Sequence, residues 1–277
     1  MVKLKHKTNK LDKRSIYLRE LIVSGLEGGK RGHVGSSMSL VEILRVLYDD
    51  IMLFDPKKTN FDKRDRLILS KGHGCLALYA ILSDKGFFNK KKLNDFCKPN
   101  SILGGHPDDN IPGVEATTGS LGHGLSIGAG IALSLKIKKK NSQVYVILGD
   151  GEMNEGSVWE GLMSISKHKL NNITIIVDNN NMQTYGSPEE VAGLNNLSAK
   201  LKSFGFETKT IDGHSINSLK KILKKEKRKK PFAVICKTVK GKGIDFAEND
   251  LNWHHKSSLD ETTIKRIKNS LKVNNLK

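Results

Sequence analysis

The stretch Gln143–Glu155, QVYVILGDGEMNE, holds a carboxylate, Asp150, between two glycines at the end of an apolar run. A strand that runs through glycines into a helix is a common phosphate cradle, because main-chain N–H groups at a helix start attract anions. Carboxylate and phosphate repel each other, so an acid in that place makes chemical sense only with a cation between them. Thirty residues on, VDNNNMQ places Asn180 after a second apolar run. That interval fits one strand–helix–strand crossover. Both side chains then meet at one edge of a parallel sheet, where such sheets bind their ligands. A carboxylate, an amide oxygen and a nearby main-chain carbonyl are hard ligands suited to magnesium or calcium, with phosphate oxygens and water completing the shell. GDGEMNEG is neither a P-loop, since it lacks the GK[ST] ending, nor a dinucleotide fingerprint, since its third glycine is displaced.

The elements that must carry these residues can be read from periodicity. A helix is expected over 11–26, and another from Ser39. There Ser39 and Glu42 stand three apart like a capping box, and Leu40, Ile43, Leu44 and Leu47 form one apolar stripe. RLILS at 66–70 reads as a short strand, followed by a helix over 74–85 and a lysine-rich helical piece over 90–97. Residues 104–124 carry six glycines and two prolines and read as loop, followed by a small-residue helix over 124–138. Then come apolar strands at 144–149, 172–178, 206–211 and 232–239, separated by helix-compatible segments. Continuous apolar strands alternating with helices predict an α/β fold, a doubly wound parallel sheet with helices on both faces, formed by 1–277 as one domain.

Composition narrows the classes. No run of 18 apolar residues is present, so no membrane-spanning helix is expected. The basic start MVKLKHKTNKLDKR has no apolar core behind it, which argues against a secretory signal. Cys75, Cys97 and Cys236 are odd in number and far apart, which fits a reducing cytoplasm better than a disulfide framework. The net charge of +18 invites a nucleic-acid reading. However, lysines run along the whole chain, and KKILKKEKRKK at Lys220–Lys230 has no interleaved aromatics, so it reads as a solvated helix face and its trailing loop. Neither nucleic acid nor membrane is expected as a partner.

The GDG…N pair resembles the thiamine diphosphate-binding motif, and the resemblance extends along almost the whole chain. SGLEGGKRGHVGSSMS, LSKGHGCLALYAIL, GGHPD, TTGSLGHGLSIGAGIA, KTVKGKGIDFAEN and WHHK follow in the order of a transketolase. More narrowly, the chain resembles the N-terminal, diphosphate-binding subunit of a two-subunit transketolase. The resemblance implies that Asp150, Asn180 and the main-chain carbonyl of Met182 hold the metal, with magnesium first and calcium or manganese as substitutes. It implies that Gly151 contacts the diphosphate, that Ser36, Gly119, Ser120 and Leu121 line the cofactor, and that His73 and Lys240 approach its diphosphate or thiazolium region. His33, His106 and His254 would face the reacting sugar, where imidazole can take and return protons near neutrality. Glu155 would sit at a dimer interface, and a carboxylate there also suits the start of the crossover helix. Two departures stand out: His255 falls where the family usually has glycine, and His123 where it commonly has glutamine.

The resemblance also implies what has to come from elsewhere. The glutamate that protonates the aminopyrimidine ring, and the aromatic wall for that ring, belong in transketolases to a pyrimidine-binding domain. No second strand–helix block is read here, so a separately encoded C-terminal subunit is expected, assembling as a dimer of this chain or a heterotetramer. The implied activity is transfer of a two-carbon ketol unit between sugar phosphates, with xylulose 5-phosphate and ribose 5-phosphate as the default pair. Another thiamine diphosphate enzyme, similar to deoxyxylulose phosphate synthase or a decarboxylating dehydrogenase, shares GDG…N but not this histidine set. A non-catalytic protein keeping the fold would have no use for the metal pair.

Overall fold

Five apolar runs form one parallel sheet in the computed structural model, which describes residues 11–224 and 228–276. Its strands are β1 (Arg66–Leu69), β2 (Val144–Gly149), β3 (Ile173–Asn179), β4 (Glu207–Asp212) and β5 (Phe232–Lys237), in the order β1-β2-β3-β5-β4. The helices are α1 (Lys13–Gly29), α2 (Val34–Ser39), α3 (Val41–Val46), α4 (Cys75–Asp84), α5 (His123–Ile137), α6 (Gly156–Lys167), α7 (Pro188–Ala192), α8 (Leu197–Ser203), α9 (Ile216–Leu223) and α10 (Glu261–Leu276).

Alternation along the strands builds two cores, because successive side chains point to opposite faces. Tyr145 and Ile147 of β2 face a layer formed by α1, α3, α4, α9 and α10, whereas Val144, Val146 and Leu148 face α5, α6 and α8. Every residue of β2 is buried, as a strand covered on both faces must be. Forward steps along the sheet use α5, α6 and α8 of one layer, and the single backward step, β4 to β5, uses α9 of the other. A uniform crossover hand requires that switch of face. The expected doubly wound α/β fold is therefore present.

One local expectation fails. Ser39 and Glu42 do not form a capping box: the chain breaks at Leu40 into α2 and α3, and Leu40 makes no side-chain cap. The Ser39 hydroxyl instead donates to Asp178 at 2.6 Å, and the Glu42 carboxylate accepts from buried Arg19 at 2.6 and 3.0 Å. Both side chains are buried, so the interior claims the groups that an exposed helix start would use. The apolar stripe holds, since Leu40, Ile43, Leu44 and Leu47 are all buried, although its last turn widens into a π-helical one over Leu47–Ile51. The lysine-rich piece expected over 90–97 is a 3-10 turn, Lys90–Asp95. The basic start, residues 1–10, lies outside the described residues, as do 225–227 within the basic stretch. The rest of that stretch agrees with its reading, with Lys220 and Lys221 exposed on α9.

Candidate active site

Four strand tips converge at the carboxyl edge. Lys71 follows β1, Asp150 follows β2, Asn180 follows β3 and Lys240 lies just beyond β5. The register pairs Gly149 with Asp178, so Asp150 and Asn180 leave adjacent parallel strands side by side. Asp178, fully buried, ties the tips together: it accepts from Lys71 Nζ at 2.5 Å, from Ser39 Oγ at 2.6 Å and from Thr238 Oγ1. Burial alone would raise its pKa, but the Lys71 ammonium together with the Ser39 and Thr238 hydroxyls holds it below the usual carboxylate range.

Asp150 is poised differently. It is 2% exposed, and its oxygens accept from the main-chain N–H groups of Gly151 and Asn181. Burial, with Asp178 nearby, pushes its pKa up to about 6 in spite of Lys71. No ammonium or guanidinium donates to it among the described residues, so its charge would be stabilised by a cation brought from outside. The Asn180 side-chain oxygen accepts from Met182 N at 3.2 Å, and the Met182 carbonyl accepts from Lys240 Nζ at 3.0 Å. Among the described residues no three His, Cys, Asp or Glu side chains cluster as a metal site. Any ion here would therefore be held by Asp150, the Asn180 amide and main-chain oxygen, a set for a hard divalent cation that keeps water or phosphate ligands.

A cavity of about 440 Å³ opens at these tips, large enough for a cofactor. Its wall includes Ser36, His73, Gly119, Leu121, Gly151 and Lys240; Ser120 is exposed beside it and does not line it. Three buried polar atoms that find no partner among the described residues, Ser36 Oγ, Asn154 Nδ2 and Gln183 Nε2, belong to residues of this same wall. Such groups are costly unless a ligand or water satisfies them. A Cβ at Gly151 would lie 3.0 Å from the Gln183 amide oxygen, so the bare glycine keeps the cradle open. A buried acid without a cation, unpaired donors and a bare glycine together fit a polyanion carrying a divalent ion.

Imidazoles gather at the other end. His33 is the hub, with ring centroids 5.4 Å from His73, 6.0 Å from His106, 5.6 Å from His254 and 4.5 Å from His255. Burial and the neighbouring rings and Lys240 push His33 down to about 3, and burial with Lys240 takes His254 to about 4. These rings are therefore neutral near pH 7. Lys240 Nζ donates to His254 Nδ1 at 2.6 Å, which leaves the His254 proton on Nε2. Burial, with Lys71 adjacent, pushes Lys240 itself down to about 8. His106 is set by Tyr79, whose hydroxyl donates to the carbonyls of Gly104 and His106 at 3.0 and 2.8 Å. Glu155 is exposed, lines the cavity and stands at the N-cap of α6 without a capping hydrogen bond. His123 is exposed on the first turn of α5, its Nδ1 donating to Leu121 O at 3.1 Å.

Several residues of the site escaped sequence reading. Glu152 accepts from Gly122 N, Gly149 N and Ser70 Oγ, stapling the glycine loop to the β1 and β2 tips. Lys71 and Asp178 form the buried ion pair between β1 and β3. Behind Lys240, Arg19 donates to Glu42 and to Lys242 O, while His214 donates from Nδ1 to Glu42 and accepts from Val239 N at Nε2. For Lys71 and Asp178 the available signal was a charged residue at the end of an apolar run, as in RLILSK and ITIIVD.

Comparison with known proteins agrees with this geometry. The family profile "Transketolase, thiamine diphosphate binding domain" matches residues 12–277. The chain is 38% identical over 239 residues to an apulose-4-phosphate transketolase subunit of Phocaeicola vulgatus, covering 86% of this chain and 85% of that one. It is 36% identical over 263 residues to a 6-deoxy-6-sulfo-D-fructose transketolase subunit of Clostridium sp., covering 94% and 93%. Among solved structures, the transketolase of Campylobacter jejuni superposes with a TM-score of 0.86 at 30% identity; the match covers 94% of this chain but 42% of that one. The chain thus spans nearly the full length of the subunit relatives and less than half of the solved transketolase. It belongs to the transketolase family, as a chain of its thiamine diphosphate-binding domain.

Proposed function

We propose that this chain is the diphosphate-binding subunit of a two-subunit transketolase that moves a two-carbon ketol unit from a ketose to an aldose phosphate. One observation carries the reading: a buried carboxylate without a cation and a cluster of neutral imidazoles share one cavity at the strand tips. Asp150, Asn180 and the Met182 carbonyl would hold magnesium, or calcium or manganese in its place. Gly151, Ser36, Asn154 and Gln183 would receive diphosphate oxygens, with Lys240 and His73 beside them and Gly119, Ser120 and Leu121 along the rings. When bound, thiamine diphosphate supplies the electron sink for the two-carbon fragment.

The chain's own contribution is proton handling and charge. His33, His106 and His254 would accept a proton from a sugar hydroxyl as its carbon–carbon bond breaks and return one to the acceptor's carbonyl oxygen. Depressed pKa values keep their nitrogens free for the first task at neutral pH. Lys240, fixed against His254 Nδ1, would hold that ring with Nε2 toward the sugar. Glu155 would contact a second protomer. The full-length relatives are themselves named as subunits, which supports a pyrimidine-binding partner. The sugars in those names, a phosphate and a sulfonate, support a donor that ends in an anion.

The test is co-purification of the chain with its partner, followed by a ketol-transfer assay with thiamine diphosphate and magnesium. Transfer by the pair, with the chain alone below about one hundredth of that rate, is the expected outcome; in free-energy terms that is about 2.7 kcal/mol of barrier. Consumption of pyruvate instead of a ketose would point to a different thiamine diphosphate reaction, and full activity of the single chain would refute the dependence.

A further inference from the structure

A second cavity, of about 350 Å³, lies at the amino end of β1, whereas the candidate active site lies beyond its carboxyl end; the two share no wall residue. The four residues of β1 alone rise about 13 Å between them. Tyr48, Phe54 and Phe87 of this second wall form an aromatic triad with ring centroids 5.3, 6.4 and 5.6 Å apart, and Leu67, Ile111 and Val114 extend it. Tyr48 is 4% exposed, and its hydroxyl makes no hydrogen bond among the described residues. A buried phenol usually finds a partner for its O–H. Arg64, the one cation of the wall, is already engaged, since both its terminal nitrogens donate to Glu115. Its buried Nε finds no partner among the described residues. Asp65 and Asp109 add two further carboxylates.

The opposite wall is the tip of a closed loop. Thr118 N donates to Pro107 O at 3.1 Å and Asp109 N to Thr117 Oγ1 at 3.2 Å, which bring the ends of 107–118 together as a compact Ω-loop. Its tip, residues 109–115, lines the second cavity, and the residues flanking its neck, His106 and Gly119, line the candidate active site. Thr118 Oγ1 anchors the neck by donating to Leu69 O at 2.9 Å. At the tip Gly113, with φ +91°, admits the Phe87 ring, which a Cβ would meet at 2.7 Å.

We infer that this cavity is a second binding site, for a small neutral aromatic amide whose ring rests against Tyr48, Phe54 and Phe87 and whose carbonyl oxygen accepts from the Tyr48 hydroxyl. The volume suits one small molecule, and the aromatic walls suit a planar ring. Three carboxylates against one guanidinium that is already paired disfavour an anion. A ligand seated between Tyr48 and the loop tip restrains residues 107–118, and that restraint reaches His106 at the neck. The inference concerns a different cavity from the ketol-transfer reading and does not depend on it.

The test titrates the full chain with benzamide, benzoate and toluene, read by calorimetry and by the His106 imidazole signals, for the parent, Tyr48→Phe and Phe54→Ala. Tyr48→Phe removes one hydroxyl and keeps the ring; Phe54, half-buried, gives a second variant that removes part of the wall. Benzamide should bind the parent saturably with a Kd of about 1 mM or below, and benzoate and toluene at least about tenfold more weakly. Tyr48→Phe should weaken benzamide about tenfold and leave toluene unchanged. The His106 signals should move as benzamide fills the parent, and in Tyr48→Phe only at correspondingly higher concentration. No saturable uptake of benzamide, or equal uptake by the parent and both variants, overturns the site; equal uptake is also what binding of benzamide among the imidazoles would give. Benzoate binding more tightly than benzamide overturns the choice of a neutral ligand. His106 signals that stay fixed while the cavity fills overturn the link through the loop.

Discussion

At the scale of single residues, the candidate site turns on an acid that receives no cation among the described residues. Asp150 and Asp178 sit at neighbouring strand tips, yet among the described residues only Asp178 receives an ammonium, from Lys71. On the proposed reading, the carboxylate without an ammonium, Asp150, is the docking point for a divalent ion. Asp150→Asn keeps the shape and removes the charge, so magnesium-dependent thiamine diphosphate affinity should fall at least about a hundredfold while circular dichroism stays unchanged. His33 supports a second prediction. Its folded pKa, about 3, lies below the ordinary imidazole value of 6.5, so the unfolded chain binds the extra proton between those limits. Stability from this group is present above pH 6.5 and lost as pH falls toward 3, with a limiting slope of about 1.4 kcal/mol per pH unit for one proton. Urea unfolding of His33→Gln across pH 7 to 4 should therefore show a shallower decline than the parent, and an identical slope would contradict the assignment. The Asp150–Asn180 pair was legible in the sequence because both residues follow apolar runs one crossover apart. The roles of Lys71 and Glu152 were not. Lys71 meets Asp178 across 107 residues and Glu152 meets Ser70 across 82, pairings at the sheet edge that no local pattern encodes.

At the scale of elements, two devices hold the side chains still. The glycine loop before α5 is stapled by Glu152, and the segment carrying Lys240 is clamped from behind by Arg19, Glu42 and His214. Glycines serve the second device by close approach: Gly35 gives its carbonyl to Gly241 N, and a Cβ on Gly35 would stand 2.8 Å from Lys240 Cγ. Glu42→Ala leaves the Arg19 guanidinium buried and unpaired, which should cost about 3–5 kcal/mol in denaturant unfolding. It should also weaken cofactor binding through Lys240. A loss below about 1 kcal/mol would show that the clamp is dispensable. This is also where sequence reading erred: Ser39 and Glu42 have the spacing of a capping box, but both point into the interior. Strands and long helices were legible because their apolar periods follow directly from burial on both faces of the sheet. The α2–α3 break was not, because it is set by long-range partners on β3 and α1.

At the scale of the whole molecule, the charge excess and the chemistry separate. Exposed lysines such as Lys57, Lys91, Lys138 and Lys221 are distributed over loops and helices, whereas Lys71, Lys240 and Lys242 are buried around the carboxyl edge. The positive charge at the proposed site is thus internal and protected from salt screening. Cofactor uptake should accordingly change less than about threefold between about 0.05 and 0.3 M sodium chloride, whereas a phosphate-backbone binder would lose several orders of magnitude over a similar range. The parallel sheet brings four strand tips to one edge, and the cavity lies at that edge, as expected for open sheets of this class. The most direct measurement is calorimetric titration of thiamine diphosphate into the chain assembled with its partner, with magnesium and then with a chelator, for the parent and Asp150→Asn. The account predicts saturable uptake only for the parent with magnesium. Equal uptake with the chelator, or by Asp150→Asn, would contradict a divalent ion bridging the β2 and β3 tips to the diphosphate.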